Sequence, residues 1–167
     1  MGGATADAAP ADSDAGDAGD PVFIAFSEDF ADFQSWTSFY LGDLPPTINE
    51  IPGPRTVYIK QLPPKGSQSF PVGTMIVKAI QVGDPVDWQI FAMVKRGGGF
   101  NDVGAVGWEW FELSLKLGAL NVVWRGNAPP NGMGYGGGIG GGVCNTCHAS
   151  ATANDFVQSA PLQLNTL

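Results

Sequence analysis

Residues 108–117 read WEWFELSLKL, residues 118 and 119 are Gly-Ala, and residues 120–125 read LNVVWR. Two runs rich in aromatic and branched apolar residues, joined by two small residues, predict a tight antiparallel hairpin. Three similar runs precede this hairpin, and Gly and Pro separate them. The five predicted strands are Arg55–Leu62, Gly73–Val82, Trp88–Lys95, Trp108–Leu117 and Leu120–Arg125. This spacing predicts a mainly β fold, as an antiparallel sheet or a small barrel.

One helix is predicted upstream of the strands, over Ser27–Leu41. Ser27 is suited to cap it, and acidic residues follow in the first turn, where the helix dipole favours them. Aromatic residues then recur at helical spacing, which predicts a stripe packed against the sheet. The members of this stripe are Phe30, Phe33, Trp36 and Tyr40.

The length and composition fit one loop-rich domain. The chain has 167 residues, with 24 Gly and 13 Pro and only 14% charged residues, which excludes a coiled coil and a charge-rich helical bundle. We therefore expect a single domain over residues 21–167, and no window of the sequence is apolar enough for a transmembrane helix.

The net negative charge of the chain arises from its first 32 residues. The net charge is −8, and residues 1–32 carry eight acidic and no basic residues, so the remainder is neutral. Residues 1–20 contain almost only Gly, Ala, Asp, Pro, Ser and Thr, a composition that predicts a disordered acidic tail. A neutral globular part lacks the basic footprint of a nucleic-acid-binding protein.

Cys144-Asn145-Thr146-Cys147-His148 has the Cys-x-x-Cys-His spacing of c-type haem attachment. The two thiols would form thioethers to the haem vinyl groups, and the adjacent histidine would ligate the iron. A thioredoxin-like redox pair would follow a strand of a βαβ unit, whereas this pair follows a glycine-rich tract. A structural zinc site would need a fourth ligand. We therefore expect one covalent haem c held by Cys144, Cys147 and His148.

The sixth iron position is expected to be open. The chain has no second histidine, and its four methionines are Met1, Met75, Met93 and Met133. Met75 and Met93 fall in predicted strands, where core packing explains them, so only Met133 is a serious axial candidate. An open position indicates ligand binding or chemistry at the iron rather than electron transfer alone.

Lys78 is the polar residue of an otherwise apolar strand. Alternation along Gly73–Val82 places Ile76, Lys78 and Ile80 on one face of the sheet. A buried lysine is costly unless it is paired, neutral or covalently used. On the strand pattern alone, the simpler interpretation is a solvent-facing side, with Lys78 reaching into water.

Taken together, these segments resemble the cytochrome P-460 family from Arg55 to Val157. The segments that carry the resemblance are Arg55–Ile59, Phe70–Lys78, Met93–Lys95, Trp108–Trp110, Cys144–His148 and Asn154–Val157. The resemblance implies a predominantly antiparallel β fold around one c-type haem, with oxidation of hydroxylamine and electrons passed to an external acceptor. It also implies that Lys78 forms a further covalent bond to the haem macrocycle. Ala79 departs from the acidic residue that many members carry after that lysine.

A related branch, the cytochromes c′-beta, lacks the lysine bond and binds gases such as nitric oxide. The alternative function is therefore a non-enzymatic gas-binding or electron-transfer haem protein. For the enzyme, a distal carboxylate would take protons, and the candidates are Glu109 and Glu112. Glu109 shares a face with Phe111, and Glu112 shares the opposite face with Trp110, so at most one can face the haem.

The expected partners and location follow from the haem. We expect a small substrate or gas ligand at the iron and a soluble electron acceptor such as another cytochrome, and we leave a homodimer open. Haem c is attached outside the bacterial cytoplasmic membrane, which predicts a periplasmic or exported protein. No signal peptide is visible in the sequence. The acidic tail is expected to be either a tether or a plain solubilising segment.

Overall fold

A computed structural model describes residues 21–44, 50–130 and 143–167, without the side chains of Leu44 and Val143. The predicted tail over residues 1–20 and the axial candidate Met133 lie outside this range. The described residues form six antiparallel strands in one open sheet with few helices, which confirms the mainly β prediction. The barrel alternative is not what forms.

The sheet is a meander in which each strand pairs with the next along the chain, in the order β1-β2-β3-β4-β5-β6. The strands are β1 Thr37–Leu44, β2 Gly53–Ile59, β3 Met75–Ile80, β4 Gln89–Lys95, β5 Trp108–Lys116 and β6 Ala119–Gly126. The hairpin predicted between the last two strands forms, but its two-residue turn is Leu117 and Gly118 and not Gly118 and Ala119, because Ala119 already pairs with Lys116. Both turn residues have positive φ, at 53° and 76°, as the tight hairpin turn that matches strand twist requires.

The helix predicted over Ser27–Leu41 is wrong. Two short 3-10 helices, Ser27–Phe30 and Phe33–Ser35, occupy its first half, and β1 occupies its second half. The aromatic spacing nevertheless reflects burial for three members of the predicted stripe, because Phe30, Phe33 and Trp36 pack against the sheet. Tyr40, the fourth member, is 67% exposed on β1, so the prediction is wrong for this residue. Pairing of β1 with β2 along its whole length outweighs the weak helical pattern.

Both faces of the sheet are covered. The N-terminal face, named here for the N-terminal segment that packs on it, carries Tyr58, Val77, Ala92 and Phe111. The C-terminal face carries alternate residues of the same strands, including Val57, Ile76, Met93 and Trp110, and residues of the C-terminal segment pack against it. The sheet thus separates two apolar clusters.

The C-terminal segment contains one short helix, α1, over Val143–His148, followed by 3-10 helices at Thr152–Asn154 and Ala160–Leu162. Val157, Leu162 and Leu164 are buried against the C-terminal face. None of the helices in the described part of the chain is long and apolar enough to span a membrane.

Candidate functional site

The Cys-x-x-Cys-His residues lie on α1, beside the C-terminal face. One helical turn separates Cys144 from Cys147, so the two thiols project from the same side of the helix. Both are free thiols; Cys144 is half-buried and packs against the apolar cluster, whereas Cys147 is exposed. Burial raises the pKa of the Cys144 thiol to about 11, although the positive charge of Lys78 opposes this.

His148 is held in a single orientation by a backbone hydrogen bond. Its Nδ1 lies 2.7 Å from the carbonyl oxygen of Phe156, and its ring centroid lies 4.6 Å from that of Trp110. Burial lowers the pKa of the imidazole to about 4, and the bond to Phe156 opposes this only in part. At neutral pH, Nδ1–H therefore donates to the carbonyl, and Nε2 keeps the lone pair that a metal ion would need.

The Phe156 carbonyl is directed at His148 by unusual backbone geometry. Asp155 and Phe156 are consecutive non-glycine residues with φ of 48° and 67°. Such conformations cost free energy and persist only where surrounding contacts hold them. Here the amide of Phe156 donates to the carbonyl of Ala151 at 2.8 Å, which closes the turn around the histidine.

Asp155 anchors this turn to the sheet. Its side chain accepts the backbone N–H of Phe70 at 2.8 Å and pairs with the Lys95 ammonium at 2.6 Å. Its backbone carbonyl accepts the indole N–H of Trp108 at 2.8 Å. The segment 154–157 included in the family resemblance therefore orients the histidine and attaches it to β4 and β5.

A second anchor comes from Asn145, one of the two variable positions of the motif. Its Oδ1 accepts the side-chain N–H of Asn101 at 2.7 Å and the backbone N–H of Ala105 at 2.9 Å, and its Nδ2 donates to the carbonyl of Val103 at 2.8 Å. Gly104 leaves room for this contact, since a Cβ there would lie 2.6 Å from the Asn145 amide nitrogen. The loop before β5 thereby holds α1.

Lys78 lies on the C-terminal face between Ile76 and Ile80, as the alternation predicted. The solvent-face interpretation is wrong, because this side is covered and the Lys78 side chain is only 32% exposed. Its ammonium forms an ion pair with Glu50, which also lies 3.3 Å from Arg55. The charge of Lys78 acts on both Cys144 and His148, so the structure brings the lysine and the motif together.

Glu112 shares this face and this row of the sheet. Phe91 stands between them, since it pairs with Lys78 on one side and with Glu112 on the other. Burial raises the pKa of the Glu112 carboxyl, and a hydrogen bond from Trp124 opposes the rise. The second carboxylate oxygen, Oε2, is buried and has no hydrogen-bond partner within the described residues.

Glu109 lies on the other side. It is 2% exposed on the N-terminal face, where Arg125 lies 2.7 Å and Arg96 3.3 Å from Oε2. Of the two carboxylates selected from the sequence, only Glu112 shares a face with Lys78.

The methionines and the other possible ligands can also be placed. Met75 is fully buried on the N-terminal face and Met93 is buried within the cluster on the C-terminal face. No three His, Cys, Asp or Glu residues lie close enough to hold a metal ion by themselves among residues 21–44, 50–130 and 143–167.

No family model, curated protein or solved structure matches this chain.

Three contributors to the site were missed in the sequence. Glu50 precedes β2 in a loop, and nothing local indicates that it pairs with Lys78. The hydrogen-bond acceptor of His148 is the backbone carbonyl of Phe156, and every residue has such a carbonyl, so the sequence does not mark it. The sequence predicts a strand around Trp124, but only the pairing of β6 with β5 shows that its indole lies beside Glu112.

Proposed function

We propose that this chain is a c-type haem protein that oxidises hydroxylamine at an open iron position and passes the electrons to an external acceptor. The observation that carries the proposal is the His148 geometry, in which Nδ1 is bonded to the Phe156 carbonyl and Nε2 is left as the ligand atom. This arrangement occurs at the end of a Cys-x-x-Cys-His helix packed beside a face that bears a lysine and a carboxylate.

The side chains present fit a covalent haem. Cys144 and Cys147 are free thiols one helical turn apart, and His148 is neutral at pH 7 because of burial. The adjacent face is mainly apolar, yet it holds two buried polar atoms without partners among the described residues, Trp110 Nε1 and Glu112 Oε2. Such atoms are rare in native proteins, and they fit a face that binds a further group.

Each residue has a separate task in this proposal. Cys144 and Cys147 would hold the haem through thioethers, and His148 would ligate its iron. The haem would supply the redox centre that binds hydroxylamine and takes up its electrons. Glu112 accepts protons from the substrate, because a partly buried carboxyl with a raised pKa is closer to the operating pH than an ordinary glutamate.

Lys78 completes the enzyme hypothesis as the residue that bonds to the macrocycle. The position of Lys78 supports this role, because its charge acts from β3 on both Cys144 and His148 of α1. The fold also explains why Ala79, and not an acidic residue, follows Lys78. Ala79 is fully buried on the N-terminal face, so an acidic residue there would need a buried partner.

A specific observation favours the alternative, a haem protein that binds nitric oxide without turnover. The Lys78 ammonium is already paired with Glu50, and Phe39 and Phe91 supply aromatic surface on the same row of the sheet. A lysine retained in that ion pair would leave an ordinary c-type haem.

One experiment separates the two functions. The full chain would be produced in a periplasm with c-type haem maturation, digested, and its haem-bearing peptides weighed. The enzyme hypothesis predicts a Lys78 peptide linked to haem, a shifted Soret band, and hydroxylamine-dependent reduction of a soluble cytochrome. Lys78→Ala should keep the haem on Cys144 and Cys147 but abolish oxidation.

Lys60→Ala is the matched control, because Lys60 contacts the carbonyl of Asp29 on the N-terminal side of the molecule. A haem-free Lys78 peptide together with nitric oxide binding would favour the gas-binding alternative. A chain that carries no haem on either cysteine would contradict both.

A further inference from the structure

The pairing of β5 with β6 contains one extra residue. Leu113 pairs with Val122 and Glu112 pairs with Trp124, so Val123 has no opposite residue. This is a β-bulge, which turns the side chains that follow it to the other face relative to a regular pairing. Val123 itself is 48% exposed.

The bulge decides which side chain reaches which glutamate. As observed, Trp124 is buried on the C-terminal face opposite Glu112, and Arg125 lies opposite Phe111 on the N-terminal face, where it pairs with Glu109. Regular pairing from Leu113 onward would put Trp124 opposite Phe111 and would turn Arg125 toward the C-terminal face. The extra residue thus sends a cation to one glutamate and a neutral donor to the other.

We propose that Trp124 is the positioning residue for Glu112: its indole N–H holds the carboxylate in one orientation and leaves Oε2 available to the proposed site. This inference rests on the proposed function for its purpose, but the contact itself does not. An indole can only donate a hydrogen bond, so it always favours the carboxylate over the protonated acid. Hydrogen bonds to a charged acceptor are also shorter and stronger than neutral ones.

The other charged groups near this face have their own partners. Lys78 and Arg55 contact Glu50, and Lys95 contacts Asp155. Among the described residues, the remaining titratable groups packed over the face are His148 and Cys144. Trp124 is the neighbour whose hydrogen bond acts directly on the titration of Glu112.

The test is an infrared titration of the chain as it is produced, with or without bound haem, which follows the protonated-carboxyl band assigned to Glu112 by its loss in Glu112→Gln. Trp124→Phe removes the donor and should move the titration midpoint of that band upward by about one pH unit or more. Trp88→Phe is the matched control. The Trp88 indole N–H is buried without a partner in the described residues, so its removal should leave the midpoint unchanged.

Substitution of Trp124 by 3-benzothienylalanine, which has sulfur in place of the N–H, keeps the ring shape and decides the matter if Trp124→Phe folds poorly. An unchanged midpoint in that variant would overturn the proposal, whatever the protein catalyses. If the wild type oxidises hydroxylamine, the low-pH limb of its rate profile should move upward with the infrared midpoint in the variant. A purely structural role would lower the rate equally at every pH.

Discussion

Glu109 and Glu112 lie three residues apart on β5 and meet different surroundings on the two faces of one sheet. Glu109 is buried between two guanidinium groups, with short contacts to Arg125. Glu112 receives a neutral indole N–H and keeps one buried oxygen without a partner in the described residues. The N-terminal face compensates its buried charge, as a structural element requires. The C-terminal face leaves a carboxylate oxygen buried without a partner among the described residues, which is typical of a site that binds something else.

The largest expected effect tests the compensated side. Glu109→Gln leaves two arginines facing a neutral amide, and loss of one partner of a buried ion pair is strongly destabilising. Because both arginines are about a quarter exposed, we expect the free energy of unfolding to fall by about 3 kcal/mol, near the lower end for such losses. Urea denaturation at pH 7 measures it. A fall of less than about 1 kcal/mol would show that water compensates Arg96 and Arg125 once the carboxylate is removed.

The second prediction concerns a group that is buried neutral. The pKa of His148 is about 4 in the fold and near 6.5 when unfolded, so the unfolded chain binds the proton first as pH falls. Stability of the haem-free chain should therefore decrease as the pH falls from about 6.5 to about 4, by about 3 kcal/mol. His148→Phe, denatured in parallel, should lack this component. Parallel curves for the two chains would contradict the buried neutral histidine.

The third prediction tests how α1 is held. Asn145→Ala removes three hydrogen bonds and leaves the N–H groups of Asn101 and Ala105 without this acceptor. We expect a loss of about 2 kcal/mol, with faster amide exchange in α1 and in the loop before β5. Thr146→Ala is the control, since Thr146 is an exposed neighbour on the same helix. Equal exchange rates in both variants would show that apolar contacts alone hold the helix.

The smallest effect on stability is expected at Glu112. Its pKa is raised in the fold, so its ionised form is disfavoured there and its contribution to stability declines as pH rises through that range. Glu112→Gln should therefore change the free energy of unfolding at pH 7 by less than about 1 kcal/mol, and the change should be neutral or stabilising. If the chain oxidises hydroxylamine as proposed, Glu112→Gln should nevertheless abolish that activity. A large destabilisation would place Glu112 with Glu109 as a structural anion.

Much of the fold was predictable because strand signals are local. β-branched and aromatic runs bounded by Gly and Pro located β2 to β6 to within a few residues. The strand β1 was missed because Phe33, Trp36 and Tyr40 fall at helical spacing, although Thr37, Phe39 and Tyr40 favour strands. Its pairing with β2 is a tertiary interaction that spacing does not encode.

The candidate site was predictable only where side-chain chemistry is visible in the sequence. Cys144, Cys147 and His148 have fixed spacing, and Lys78 was conspicuous among apolar neighbours. Strand alternation also separated Glu109 from Glu112 correctly. It could not show that Arg125 compensates the first, because a bulge at Val123 determines the direction in which Arg125 points.

The meander topology has a consequence for the order in which this molecule is built. Each strand pairs with its neighbour along the chain, so every loop that the sheet closes joins consecutive strands and the entropic cost of assembly is low. The contact between Trp108 and Asp155 instead spans 47 residues. The entropic cost of docking the C-terminal segment is therefore separate from the entropic cost of forming the sheet. The cysteines and the histidine, which follow the sheet along the chain, meet a surface that earlier parts of the chain can already have completed.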